Sequence, residues 1–161
     1  MKSNVNVEFI IGDIAETTAN FIIHQVNCQG AMNSGVAKSL RKKYPAVYND
    51  YMRKCQTVKT PKELLGQFVA TNAYDEIGRV YILSIFGQER YGYDGKQYTD
   101  YVALEKALRE IVGFYNMDVV AIPDMLGCGR GGGDKKTVYD MIIKVFEDLS
   151  YEPVTLKFYK N

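Results

Sequence analysis

Tryptophan is absent from this 161-residue sequence, histidine occurs once and proline four times. A single imidazole, His24, excludes metal centres built from several histidines, and Cys28, Cys55 and Cys128 fall at no metal-ligand spacing. Three thiols leave an odd one if two pair, so reduced thiols and a cytoplasmic setting are expected. Neither sign of charge is in excess: 20 Lys and Arg against 19 Asp and Glu leave +1. That balance gives no electrostatic case for nucleic acid or an anionic membrane as partner. No apolar run approaches a membrane span, and Met1 to Asn4 leads into polar–apolar alternation, not a signal peptide. Any anion bound here must be held locally, by loops and backbone dipoles.

What is present is an ordinary globular composition, 47% hydrophobic and 24% charged, long enough for one domain over residues 1–161. Val5 to Ile11 reads as a first strand and Phe21 to Val26 as an apolar, interior second one. Val36, Ala37 and Leu40 lie at helical spacing with Lys38, Arg41, Lys42 and Lys43 on the wet side, and a second helix follows over Ala46 to Cys55. A polar connection with Pro61 leads to two strands, Gly66 to Thr71 and Arg79 to Phe86, with Tyr74 to Gly78 as a hairpin turn. Residues Gly87 to Thr99 form a long loop rich in Tyr and Gly, a candidate lid. Tyr101 to Tyr115 is a helix capped by Asp100, Val119 to Ile122 a buried strand, Val138 to Leu149 a helix and Val154 to Tyr159 the last strand. The order ββααββαβαβ predicts an α/β fold with a mostly parallel sheet of six strands covered on both sides.

The most informative stretch is Ile122 to Asp134, where a strand ends at Pro123 and five glycines fall within seven residues before a helix. Glycines let the backbone approach a ligand, and the free N–H groups of the following helix favour a phosphate. A second segment, Asn27 to Gly35, repeats that order of strand, small-residue loop and helix start. In such sheets ligands bind beyond the carboxyl ends of the strands. The pair of loops therefore predicts a clamp for a diphosphate or for two phosphate-type groups.

Three separated motifs resemble the macro domain, the ADP-ribose-binding module: Gly12-Asp13-Ile14, Val26-Asn27 leading to Asn33-Ser34-Gly35-Val36-Ala37, and Ile122-Pro123 before Gly127-Cys128-Gly129. The form Asn27-Cys28-Gln29-Gly30 and the run Gly129 to Asp134 are most similar to the branch containing yeast-type ADP-ribose-1''-phosphate phosphatases and phage relatives. The resemblance covers the whole chain and implies a three-layer α/β/α sandwich, an ADP-ribose-type ligand, no cofactor or metal, and a monomer. It implies that Asp13 accepts from the adenine amino group beside Ile14, and that Tyr159 or Phe158 packs on the base. Asn27 is placed against the distal ribose. Gly30, Met32, Asn33, Ser34, Gly35 and Val36 are placed around the diphosphate with Gly127, Cys128, Gly129, Arg130, Gly131, Gly132 and Gly133. Family hydrolases that remove ADP-ribose from glutamate or DNA bases carry a Lys at the end of the central strand. Here Ile85-Phe86-Gly87-Gln88 has none.

Hydrolysis of ADP-ribose-1''-phosphate needs a held phosphate, a positioned water and a proton for the departing oxygen. Asp134 and His24, with Asn27 beside the ribose, are the candidates for that chemistry. Arg130 is a candidate for the terminal phosphate. Asp134 is equally an N-cap for the last helix. His24 is equally a hydrogen-bonded core residue, and strict strand alternation would point it away from Asn27. A binding module without chemistry, or a hydrolase of ADP-ribosyl esters or O-acetyl-ADP-ribose, are the other readings.

Overall fold

In a computed structural model, which describes residues 4–33 and 35–161, six strands form one sheet in the order β1-β6-β5-β2-β4-β3. They are β1 Val5–Ile11, β2 Phe21–Asn27, β3 Phe68–Tyr74, β4 Arg79–Gln88, β5 Val119–Pro123 and β6 Val154–Lys160. Every neighbouring pair is parallel except β3 with β4, the predicted hairpin, so the sheet is mixed and mostly parallel. Four helices, α1 Gly35–Lys43, α2 Pro45–Cys55, α3 Tyr101–Phe114 and α4 Lys135–Leu149, complete an α/β sandwich. Two short 3₁₀ turns, Ile14–Glu16 and Pro61–Leu64, lie where the sequence pattern predicts only connections. Each is three or four residues long, too short to carry an apolar period.

The central strands carry apolar residues on both faces because helices cover both. On one face Ile23, Leu83, Ile85, Val120, Ile122 and Leu156 pack against Leu104 and Leu108 of α3 and Ile142 and Phe146 of α4. On the other, Ile22, Val26, Ile82 and Phe86 pack against Leu40 of α1 and Val47 and Tyr51 of α2. The alternation in β1 has a different cause: β1 is an edge strand, and Phe9 and Ile11 stay exposed.

One irregularity lies beside the site. Val26 pairs with Phe86 but Asn27 pairs with Gln88, so the β2–β4 register shifts by one residue at Gly87. Gly87 is the extra residue, and a Cβ there would collide with the side chain of Gln25. The bulge lies on β4, opposite the step from Val26 to Asn27 at the end of β2.

Helix entry follows the predicted caps. Asp100 accepts from Ala103 N at 3.0 Å at the start of α3. We expect Asp100→Ala to destabilise the fold by about 1 kcal/mol through loss of that cap. Urea unfolding monitored by circular dichroism measures this, and an unchanged midpoint would show that the cap contributes nothing.

Candidate functional site

The carboxyl ends of β2, β4 and β5 open into a cavity of about 350 Å³. Its walls are the two small-residue loops and the segment after β4. Among the predicted residues, His24, Asn27, Met32, Asn33, Gly35, Val36, Gly127, Gly129, Arg130 and Gly131 line it. Gly30, Cys128, Gly132 and Gly133 belong to the same loops but not to the wall, and Ser34 lies outside the described residues.

The first loop is built by Asn27. Its Oδ1 accepts from Gln29 N at 2.9 Å and from the Tyr51 hydroxyl at 2.9 Å, while its Nδ2 donates to Ala31 O at 2.9 Å. Tyr51 also donates to the Asn27 carbonyl at 2.7 Å. Burial pushes the Tyr51 hydroxyl far above its ordinary titration range, so it remains a donor. The loop then delivers α1 with its first turn at the cavity, where Val36 and Ala37 line the wall. Their N–H groups have no carbonyl one turn earlier and make no hydrogen bond among the described residues.

The second loop follows β5. Gly127 and Gly132 adopt φ of +68° and +70°, values open to glycine and strained for other residues. The carbonyl of Gly127 accepts from Gly133 N at 2.9 Å and from the Thr99 hydroxyl at 2.6 Å. Gly131 O accepts from Tyr98 N at 2.7 Å and Thr99 N at 2.9 Å. With those carbonyls turned away, the N–H groups of Gly127, Arg130 and Gly131 are left without partners among the described residues, all three at the cavity wall. Two sets of partner-free backbone donors therefore belong to residues that line one cavity, and among the described residues no carboxylate side chain lines it.

The segment 87–99 is a strap, not a free lid. Besides the Thr99 and Tyr98 contacts, a Cβ on Gly132 would collide with the Lys96 carbonyl, and Tyr98 fills the space beside Gly92. Tyr91 and Tyr93 project from it to the cavity rim. Below the rim, Gln25 Nε2 donates to Gln88 Oε1 and to Thr99 Oγ1, both at 2.8 Å. Gln25 lines the cavity yet carried no signal in the sequence, because an isolated Gln in a strand matches no motif, and Gln88 entered only as part of the segment that lacks a lysine.

His24 is 1% exposed, and its Nε2 shares a 2.7 Å hydrogen bond with Ser84 Oγ. Nδ1 has no partner. Burial lowers the imidazole pKa from 6.5 to about 4, so the ring is neutral at physiological pH. Asp134 lies at the end of the second loop but not on the cavity wall. Its Oδ2 accepts from Thr137 N at 2.9 Å and Thr137 Oγ1 at 2.8 Å, capping α4. Those bonds hold its carboxyl below the usual range. Cys28 and Cys128 are buried thiols pushed up to about 12 and about 11 by desolvation, so neither is ionised. Asp13, Ile14 and Tyr159 gather at the neighbouring strand ends, beyond the cavity wall. Asp13 Oδ1 accepts from Ala15 N at 2.9 Å, Ile14 is buried, and the Tyr159 hydroxyl bonds Thr17 Oγ1 at 2.7 Å. Asp124 N donates to Tyr159 O at 2.9 Å and ties that corner to the second loop. Phe158 packs in the core under α4.

The macro domain family model matches residues 23–142. A DNA ADP-ribosyl glycohydrolase of Mycobacterium tuberculosis is 26% identical over 141 residues, which is 86% of this chain and 38% of that protein. The chain thus spans well under half of that relative. An ADP-ribose 1''-phosphate phosphatase of Candida glabrata is 33% identical over 109 residues, 64% of this chain and 58% of the relative. Among solved structures, the macrodomain of Mycobacterium tuberculosis DarG superposes with a TM-score of 0.77 at 21% identity, covering 96% of this chain and 97% of that one. No helix among the described residues is long and apolar enough to cross a membrane.

The depressed His24 pKa sets a pH dependence with a definite sign. Between about 4 and 6.5 the unfolded chain binds a proton that the folded chain refuses. This group's contribution is therefore fully present above 6.5 and is lost as pH falls through that window. His24→Gln should remove up to about 1.4 kcal/mol per pH unit of that acid slope. Chemical unfolding of both proteins from pH 4 to 7 checks it, and identical slopes would mean that His24 is not held neutral.

Proposed function

This chain belongs to the macro domain family, and from that premise we propose that it binds ADP-ribose and releases phosphate from ADP-ribose-1''-phosphate without a metal. One observation carries the binding half: residues with partner-free backbone N–H groups, from two separate loops, line one cavity, and among the described residues no carboxylate lines it. That arrangement suits a diphosphate, because N–H dipoles and a helix N-terminus favour negative charge. The adenine then lies toward Asp13, Ile14 and Tyr159, and the distal ribose toward Asn27, Met32 and the end of β4.

The phosphatase half is supported by what stands at the reacting end. The wall there carries Gln88, which is bonded to Gln25 and to Arg90 O, and no lysine. A lysine-based covalent route to cleave an ADP-ribosyl bond has no nucleophile at that place. In the proposed reaction, water bonds to the terminal phosphorus as the P–O bond to C1'' breaks, giving inorganic phosphate and ADP-ribose. The glycine-loop donors hold the phosphate, and Asn27 holds the ribose. We assign His24 the transfer of the proton from water to the departing C1'' oxygen; its Nδ1 is unpartnered and buried behind the wall that His24 lines, so water must enter there to reach it. Asp134 would have to leave its cap to reach the cavity, so we assign it the ordering of the loop end where α4 begins. A second reading, removal of ADP-ribose from DNA, is favoured by the mycobacterial glycohydrolase similarity, which spans more of this chain than the phosphatase match does.

Purified protein should release phosphate from ADP-ribose-1''-phosphate, and His24→Ala should lower that rate at least about a hundredfold, the low end of the usual range for a lost general acid–base. Asp13→Ala should weaken ADP-ribose binding in calorimetry about tenfold, in line with loss of a charge-assisted hydrogen bond. Tight ADP-ribose binding with no phosphate release would leave a reader module, and cleavage of an ADP-ribosylated oligonucleotide instead would establish the second reading.

A further inference from the structure

Arg130 is the one charged side chain on the cavity wall among the described residues, and no carboxylate there pairs with it. Its guanidinium lies 4.3 Å from the ring centroid of Tyr93. Tyr93 is 70% exposed and packs edge-on against Tyr91, with ring centroids 6.4 Å apart. A π-face attracts a cation without neutralising it, so the guanidinium keeps its full charge and its five donors for something else.

The placement of this stack is set from both sides. Tyr93 belongs to the strap after β4, and Tyr98 N and Thr99 N of that strap donate to Gly131 O, the residue next to Arg130. Tyr98 packs against Gly92 and its hydroxyl donates to Asp94 at 2.9 Å, which braces the strap on either side of Tyr93. The cation is thus presented at the rim by two loops hydrogen-bonded to each other.

Backbone donors of the two jaws already answer the two phosphates of a diphosphate. Arg130 is a third anion-binding element, on the wall that also carries Gln88 and the end of β2. A planar fork of donors suits a terminal phosphate, which presents several acceptor oxygens and close to two charges, better than it suits a sugar hydroxyl.

We infer that Arg130, positioned by the ring of Tyr93, reads a further anion at the distal end of the ligand, so that the cavity prefers a phosphate-terminated ADP-ribose to ADP-ribose itself. This rests on the ADP-ribose reading above. Arg130 is the specificity determinant, and Tyr93 is a positioning residue that acts through it.

Displacement of a fluorescent ADP-ribose analogue, read by stopped flow before any turnover, measures both ligands on the same footing. In the unmodified protein ADP-ribose-1''-phosphate should displace the analogue at about tenfold lower concentration than ADP-ribose, the scale of one charge-assisted hydrogen bond at a wet rim. That advantage should shrink at high salt. Arg130→Gln should bring the two concentrations together, with the loss falling on ADP-ribose-1''-phosphate and not equally on both ligands. Tyr93→Leu should lose part of the advantage, and Tyr93→Phe, which keeps the π-face, should retain it. Equal displacement by both ligands in the unmodified protein overturns the inference, as does Arg130→Gln weakening both ligands alike or Tyr93→Leu behaving as the unmodified protein. If the analogue does not bind at all, the ADP-ribose reading itself fails, a result distinct from equal displacement.

Discussion

A backbone that binds anions must leave N–H groups unsatisfied and still hold them in place. In this protein the opposing carbonyls are tied down instead. Thr99 and Gly133 fix the carbonyl of Gly127, and Tyr98 and Thr99 fix that of Gly131. The cost of leaving donors bare is tolerable only at a wet surface, and the cavity is open to solvent at its rim. Three features on this side of the site follow from that lacing. It makes the strap after β4 part of the wall, it holds Tyr93 beside Arg130, and it requires glycine at 132, where any Cβ would meet the strap.

The opposite jaw solves the same problem with a side chain. Asn27 closes its own loop through Gln29 and Ala31, and the buried Tyr51 of α2 locks it from below. The amide that lines the cavity is therefore also the amide that shapes the loop. A strand bulge at Gly87 of β4 lies beside Asn27, where this loop begins. The two jaws rise from neighbouring parallel strands, β2 and β5, so the distance between them follows from the sheet and not from loop flexibility.

Relatives of two chemistries resemble this chain, a glycohydrolase acting on DNA and phosphatases acting on a small nucleotide. A shared scaffold accounts for this, because one fold can carry different reactions through a few side chains. Under the function proposed above, those side chains would be Gln88, the neutral His24 and the stacked Arg130.

Much of this was legible in the chain itself. Apolar strands alternating with amphipathic runs placed all six strands and all four helices, with ends off by a few residues where strands run on into their loops. The helix caps at Asp100 and Asp134 and the two small-residue loops were equally local signals, because caps and glycine turns act over three or four residues. What tertiary structure alone decided is how distant segments complete one another. The bulge at Gly87 beside Asn27, the Gln25–Gln88–Thr99 bonds, and the strap that carries Tyr93 to Arg130 each join residues dozens of positions apart. No periodicity encodes such pairings, since they depend on which strands lie side by side. The role of Asp134 divides along the same line. Local sequence determines that it caps a helix, and only the surrounding fold decides which way its carboxylate faces.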